Sequence, residues 1–299
     1  MAERATVDGG SGMWKSGDLV VRKSYGKDVW FVVDVVDVES GTATLKGLDV
    51  RLIADAPLDD LEVVGKDEMM TYRLAQAKLE NESLRQIQIR RQLGKAKSDH
   101  RMGQKRQLDD FFEMPGRVLH LDGDGQYLEK CLHTYQKLDI RAVGKNIPEA
   151  DMVRFMPKLL EEYEPDILVI TGHDSVVRNG KHQEMLRMDQ YRHSNHYVQA
   201  VRAARRYERS RDELFIFAGA CQSHFEALLE AGANFASSPD RILIHALDPV
   251  LVAEKIAFTP IQETIDIYEV VQSTITGREG LGGIESRGKY RIGLPRSRY

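Results

Sequence analysis

From Asp18 to Val64 short apolar runs alternate with turn residues: LVVRKSY, VWFVVDVVDV, GTATLKG, VRLIA and LEVV. β-Branched runs of that length and spacing predict five strands that curl into a small β-barrel over residues 13–65. Residues 1–12 are polar and Gly-rich and are expected to form a disordered leader. From Lys66 to Phe112 the chain changes to Gln, Lys, Arg, Glu, Met and Leu without proline, which predicts one long helix, or two broken near Gly94. This basic linker, residues 66–114, suits docking on an acidic partner, but a solvated connector is the simpler reading.

After Pro115 strand and helix patterns alternate to the end of the chain, residues 115–299. Strands are expected at Arg117–Leu121, Ile140–Val143, Ile167–Thr171, Leu214–Ala218, Phe235–Ser237 and Ile242–Ala246. Helices are expected at Tyr127–Leu138, Glu149–Tyr163, His196–Arg209, Ser223–Ala231, Val250–Ile256 and Gln262–Val271. The runs ILVIT and LFIFA are near-continuously apolar, as in central parallel strands covered on both faces. The class is therefore α/β with a doubly wound, mainly parallel sheet.

Composition narrows the function classes. Forty-two Lys and Arg face 46 Asp and Glu, so the basic excess of a nucleic-acid or membrane-surface binder is missing. No run approaches the length of a membrane span, and the first residues lack the apolar core of a secretory signal. Only two cysteines occur, Cys131 and Cys221, which fits a reducing compartment without a disulfide framework.

In doubly wound sheets the site lies beyond the carboxyl ends of the strands. There the sequence places Asp122-Gly123-Asp124-Gly125, Gly172-His173-Asp174-Ser175, Gly219-Ala220-Cys221-Gln222 and Asp248. A thiol and an imidazole thus share one edge. A thiolate is a strong nucleophile and an imidazole can take the thiol's proton, so Cys221 with His173 as base is the arrangement of a cysteine protease. A helix starting near Ser223 would lower the thiol pKa and offer amides to an oxyanion. Cys131 shares a helical face with Leu128, Leu132 and Tyr135 and reads as core.

Two other readings stand beside this one. His120, Asp122, Asp124, His173, Asp174 and His245 could gather around a divalent ion, although no compact ligand motif is present. A non-catalytic assembly scaffold would use the barrel and the basic helix. Gly123-Asp124-Gly125 lacks the third glycine of a dinucleotide fingerprint, and GIESRGK at Gly283–Lys289 ends in Tyr290 rather than the Ser or Thr of a phosphate loop. No cofactor or metal is called for.

ILVITGHD followed by LFIFAGACQ resembles the caspase-like cysteine proteases, in which His precedes Cys by roughly 50 residues. That family has glycine directly after the histidine. Here Asp174 stands there, so the amides of Asp174 and Cys221 are the candidate oxyanion hole. The N-terminal strands are similar to SH3-like or KOW-like modules. A closer resemblance is to the YabG family of sporulation-specific proteases, carried by GDLVVRKSY, DVRLIAD, MPGRVLHLDGD, PDILVITGHD, FAGACQSHFEALLEAGANFASSP, IHALDPV and GLGGIESRG. It implies catalysis by Cys221 and His173, cleavage after Arg, and self-processing. It also implies spore coat and cortex-associated protein substrates, met in the mother cell or at the spore coat. An Arg-cutting enzyme needs an acid for the guanidinium, and Asp122 and Asp124 are the candidates. The long loop Asp174–Asn195, with Arg178, Lys181, Arg187, Arg192 and His193, reads as a lid, as a point of self-cleavage or as a flexible surface loop, and the sequence does not choose among them.

Overall fold

A computed structural model describes residues 14–101, 112–176 and 184–295; the expected leader, Arg178 and Lys181 lie outside them. The described chain divides into two compact units. The first runs to Asp49 and resumes with Ile53–Arg73; the second holds Val50–Leu52 and the chain from Leu74 onward.

The first unit holds β1 (Leu19–Arg22), β2 (Trp30–Asp37), β3 (Thr42–Gly47), β4 (Ile53–Pro57) and β5 (Leu61–Val63). They form an antiparallel sheet in the order β4-β3-β2-β1-β5. Alternate residues, among them Val20, Phe31, Val33, Ala43 and Leu45, are buried, as a sheet with one covered face requires. The sheet does not close: β4 and β5 are its edges, so the expected barrel is an open sheet among the described residues. Val50–Leu52, expected within a strand of this sheet, is not part of it.

Helix α1 (Lys66–Arg101) runs through Gly94 without a break. Its second half is more than a solvated connector. Ile87 is buried in the core of the second unit. Arg90 and Arg91 both pair with the buried Glu254, the Arg91 contact at 2.8 Å, and Arg91 also lies 3.4 Å over the Phe258 ring.

The second unit continues with β6 (Phe112–Met114), β7 (Val118–Asp122), α2 (Gly125–Lys137), β8 (Ala142–Asn146), α3 (Met152–Tyr163), β9 (Ile167–Thr171), α4 (Ser194–Tyr207), β10 (Phe215–Ala218), α5 (Phe225–Ala231), β11 (Phe235–Ala236), α6 (Asp248–Phe258), α7 (Ile267–Gln272), β12 (Gly282–Gly283) and β13 (Arg291–Gly293). The main sheet has the order β12-β11-β10-β9-β7-β8. All its pairings are parallel except that of β12 with β11. Because side chains alternate across a strand, Val118, Val169, Phe215 and Phe217 pack with α2, α6 and α7 on one face. Leu119, Leu168, Ile170 and Ile216 pack with α3, α4 and α5 on the other. The result is a three-layer α/β sandwich.

Two expectations are corrected. Ile242–Ala246 is not a sheet strand; among the described residues its one ladder contact is an isolated bridge between His245 and Val50. The helix expected from Ser223 begins at Phe225 and has seven residues. Gly219, at φ +114°, and Gln222, at φ +56°, turn the chain in the left-handed region after β10 and delay the helix.

Candidate active site

Strand order brings the expected residues together. β9 lies between β7 and β10, with Thr171 opposite Asp122 and Ile170 opposite Ala218. The loops carrying Asp122, His173 and Cys221 therefore leave three neighbouring strands at one edge.

His173 is buried beneath that edge. Its amide donates to Glu149 Oε1 at 2.9 Å, and its carbonyl accepts from the Tyr197 hydroxyl at 2.8 Å. Asp124 Oδ2 lies 3.4 Å from Nε2, and Glu149 Oε1 lies 3.8 Å from Nδ1. Nε2 makes no hydrogen bond among the described residues. The Tyr127 ring lies 5.5 Å from the imidazole. Burial holds the His173 pKa below its ordinary value, against the pull of Asp124, Glu149 and Asp122. The ring is therefore neutral at physiological pH, the form a general base needs. Glu149 was not anticipated. Its carboxylate occupies space that only glycine leaves: a Cβ on Gly123 would stand 2.2 Å, and one on Gly172 2.3 Å, from Oε1.

Cys221 is fully buried. Its sulfur accepts from the Ile244 amide at 3.2 Å and donates to the Ile244 carbonyl at 3.7 Å, and it is not hydrogen-bonded to His173. Burial pushes the thiol up to about 12, although main-chain amides and Arg51 oppose the shift. The expected helix contribution is absent, because α5 starts four residues later and is capped by His224 itself, whose Nδ1 accepts from Ala227. Burial thus disfavours both the thiolate of Cys221 and the imidazolium of His173 in the resting protein.

Asp174 ties the two loops. Its Oδ1 accepts from the amides of Ser175 (2.9 Å) and His193 (2.8 Å), and its Oδ2 from Ser194 Oγ (2.5 Å) and Ser223 Oγ (2.9 Å). Burial nevertheless raises this carboxyl to about 6. Asp248 is also raised by burial to about 6 and accepts from the amides of His245 and Ile275, which fixes the segment facing Cys221.

The two candidate specificity acids differ in role. Asp124 Oδ1 caps α2, accepting from Gln126 and Tyr127 amides at 2.8 and 3.1 Å. Asp122 is fully buried and holds a guanidinium. Its Oδ2 accepts from Arg51 Nη1 at 2.6 Å and from Thr171 Oγ1 at 2.9 Å, and its Oδ1 from the Asp124 amide at 2.9 Å. Burial opposes its ionisation, but Arg51 and His120 hold it well below the usual carboxylate range. Arg51 Nη2 also donates to Ala246 O (3.1 Å) and Cys131 Sγ (3.2 Å), and Nε to Ala246 O (3.3 Å). Cys131, expected as plain core, thus also meets the Arg51 guanidinium.

The ion-binding grouping does not form. His120 bonds Thr171 Oγ1 at 2.7 Å, Asp122 takes Arg51, and His245 Nδ1 accepts from Leu247. Among the described residues no three of the six candidates bring ligand atoms within 4.8 Å of one another. Nor does GIESRGK cradle phosphate, since Lys289 is buried and caps the carbonyls of Asp212 and Glu213. Of the long loop, His224 Nε2 meets Leu186 O at 3.0 Å and Arg241 Nε donates to the Tyr191 hydroxyl at 2.7 Å, which fixes its second half. No helix of the described chain is long and apolar enough to cross a membrane.

Comparison with known proteins gives the chain a family context. The chain is 47% identical over 283 residues to the sporulation-specific protease YabG of Bacillus subtilis (strain 168), covering 93% of this chain and 97% of that protein. No solved structure gives a significant match. Residues 15–295 match the family described as YabG peptidase U57, and the chain belongs to that peptidase family.

Proposed function

We propose that this peptidase is a cysteine endopeptidase that cuts proteins after arginine during sporulation, with Cys221 as nucleophile and His173 as general base. The observation that carries the reading is the strand-end arrangement: His173 and Cys221 follow the adjacent parallel strands β9 and β10, and Asp122, one strand further, holds a guanidinium.

The chemistry follows from those positions. The substrate arginine enters the Asp122 pocket, where the guanidinium takes the carboxylate and the Ala246 carbonyl. This sets the following carbonyl carbon before Cys221. The sulfur attacks it while His173 accepts the thiol proton, and the amides of Cys221 and Asp174 receive the oxyanion. His173 then protonates the departing amine as the C–N bond breaks, and water hydrolyses the thioester. Asp124 and Glu149 flank the ring and stabilise the imidazolium that forms. Spore coat and cortex-associated proteins are the proposed substrates; the Bacillus subtilis relative is named a sporulation-specific protease. The N-terminal sheet is proposed to act as an SH3-like recognition module and the α/β unit as a caspase-like catalytic domain.

The test is incubation of wild type and Cys221→Ala with an unfolded coat protein, with the new termini read by mass spectrometry. Cleavage after arginine by wild type alone is expected. Equal cleavage by the variant would remove Cys221 as nucleophile.

A further inference from the structure

Val50–Leu52 lies within the second unit, although the residues on both sides of it belong to the first. Four observations describe how it is held there. The Arg51 side chain is fully buried, with its head on Asp122, Cys131 and the Ala246 carbonyl. The Arg51 amide donates to the Ile244 carbonyl at 3.2 Å, beside the Cys221 sulfur that bonds the same residue. Val50 forms an antiparallel bridge with His245, and its carbonyl accepts from the Tyr127 hydroxyl at 2.6 Å. Leu52 forms a bridge with Asp174.

An extended peptide bound by strand addition meets its host in this way, with main-chain pairing for affinity and one side-chain pocket for selectivity. We propose that Val50-Arg51-Leu52 is an internal pseudo-substrate: Arg51 fills the arginine pocket, Val50 pairs with the Ile244–His245 segment as the preceding substrate residue would, and the cleft admits a substrate only after this segment withdraws. The inference rests on the arginine-directed reading above and deepens it, because it assigns Tyr127, Cys131 and Ala246 to the pocket wall and the main chain of Ile244 and His245 to the substrate-pairing edge. The segment is held rather than presented for cutting. The Leu52 amide bonds back to the Val50 carbonyl at 2.8 Å, so the chain bends at Arg51 where a substrate would run on extended.

A buried ion pair with no link to catalysis would give a different response, so the experiment separates the two. Full-length wild type, Arg51→Ala and Cys221→Ala are assayed with a fluorogenic peptide ending in arginyl amide. A cleft free only a tenth of the time weakens apparent substrate binding about tenfold, so Arg51→Ala is expected to raise kcat/KM by about that factor or more. A folded Arg51→Ala protein with kcat/KM equal to or below wild type overturns the proposal. Hydrogen exchange of full-length Cys221→Ala decides the matter if Arg51→Ala does not fold. Excess arginyl peptide amide is expected to speed exchange at the amides of Arg51 and Leu52. Unchanged exchange, at a concentration that inhibits wild type, overturns the proposal. Equal cleavage by wild type and Cys221→Ala would reject the thiol mechanism by itself, and the exchange result would still decide whether Arg51 is displaced.

Discussion

Asp122→Asn preserves the shape of the residue at the base of the pocket and removes its charge. The carboxylate accepts three hydrogen bonds, from Arg51 Nη1, Thr171 Oγ1 and the Asp124 amide. The amide that replaces it has one acceptor oxygen and turns two N–H groups toward the remaining donors. Both members of the Arg51–Asp122 pair are fully buried, so the guanidinium is left without a counter-charge. Breaking such a pair from one side costs about 3–5 kcal/mol, a melting-temperature drop of roughly 6–20 °C for a unit of this size. The same change should lower kcat/KM on arginyl substrates on the order of 10²–10³-fold. Thermal unfolding of Asp122→Asn, Arg51→Met and the double variant, with hydrolysis of arginyl and uncharged peptides, measures both effects. The double variant should lose less than the sum of the single ones, because it removes the unpaired charge. Additive losses under about 1 kcal/mol, with preference for arginine intact, would refute the reasoning about this pocket.

Burial holds the His173 pKa below its ordinary 6.5; since the base must be neutral, the acid limb of kcat/KM should fall off below pH 6.5, read from a pH–rate profile. Asp174 is raised to about 6, so the folded chain binds its proton more tightly than the unfolded one. Its contribution therefore grows as pH falls through 6 toward 4 and is lost as pH rises, by up to about 3 kcal/mol. Asp174→Asn should flatten that part of the melting-temperature profile. Alanine at both Arg90 and Arg91 leaves Glu254 buried and unpaired and should cost about 3–5 kcal/mol, detected as a lower denaturation midpoint, whereas Glu254→Gln should cost less.

Sequence pattern reached the α/β sheet because ILVIT and FIFA are near-continuously apolar and short, as strands covered on both faces are. It also reached the strand-end position of His173 and Cys221, since that follows from where those runs stop. It did not reach β12, whose two glycines carry no strand preference and pair with β11 only because the chain returns there. Ile242–Ala246 and VRLIA both look like sheet strands, because alternation records that alternate side chains are covered and not which partner covers them. Their partner is in part each other, at Val50 and His245. For the same reason Arg51, a lone charge in an apolar run, gave no hint that Asp122 lies opposite. The late start of α5 depends on Gln222 taking a left-handed conformation that residue preference does not foretell. The docking of α1 turns on Ile87 and a buried Glu254 far along the chain.

If Cys221 is the nucleophile of an arginine-directed cleft, an arginyl affinity label should capture it covalently. Full-length protein is treated with a peptidyl-arginyl chloromethyl ketone, digested and mapped by mass spectrometry, with an uncharged analogue as control. One adduct is expected, on the Cys221 sulfur, forming in step with loss of activity and much faster than with the control. Full loss of activity with the adduct on another residue, or equal labelling by the uncharged analogue, would contradict it.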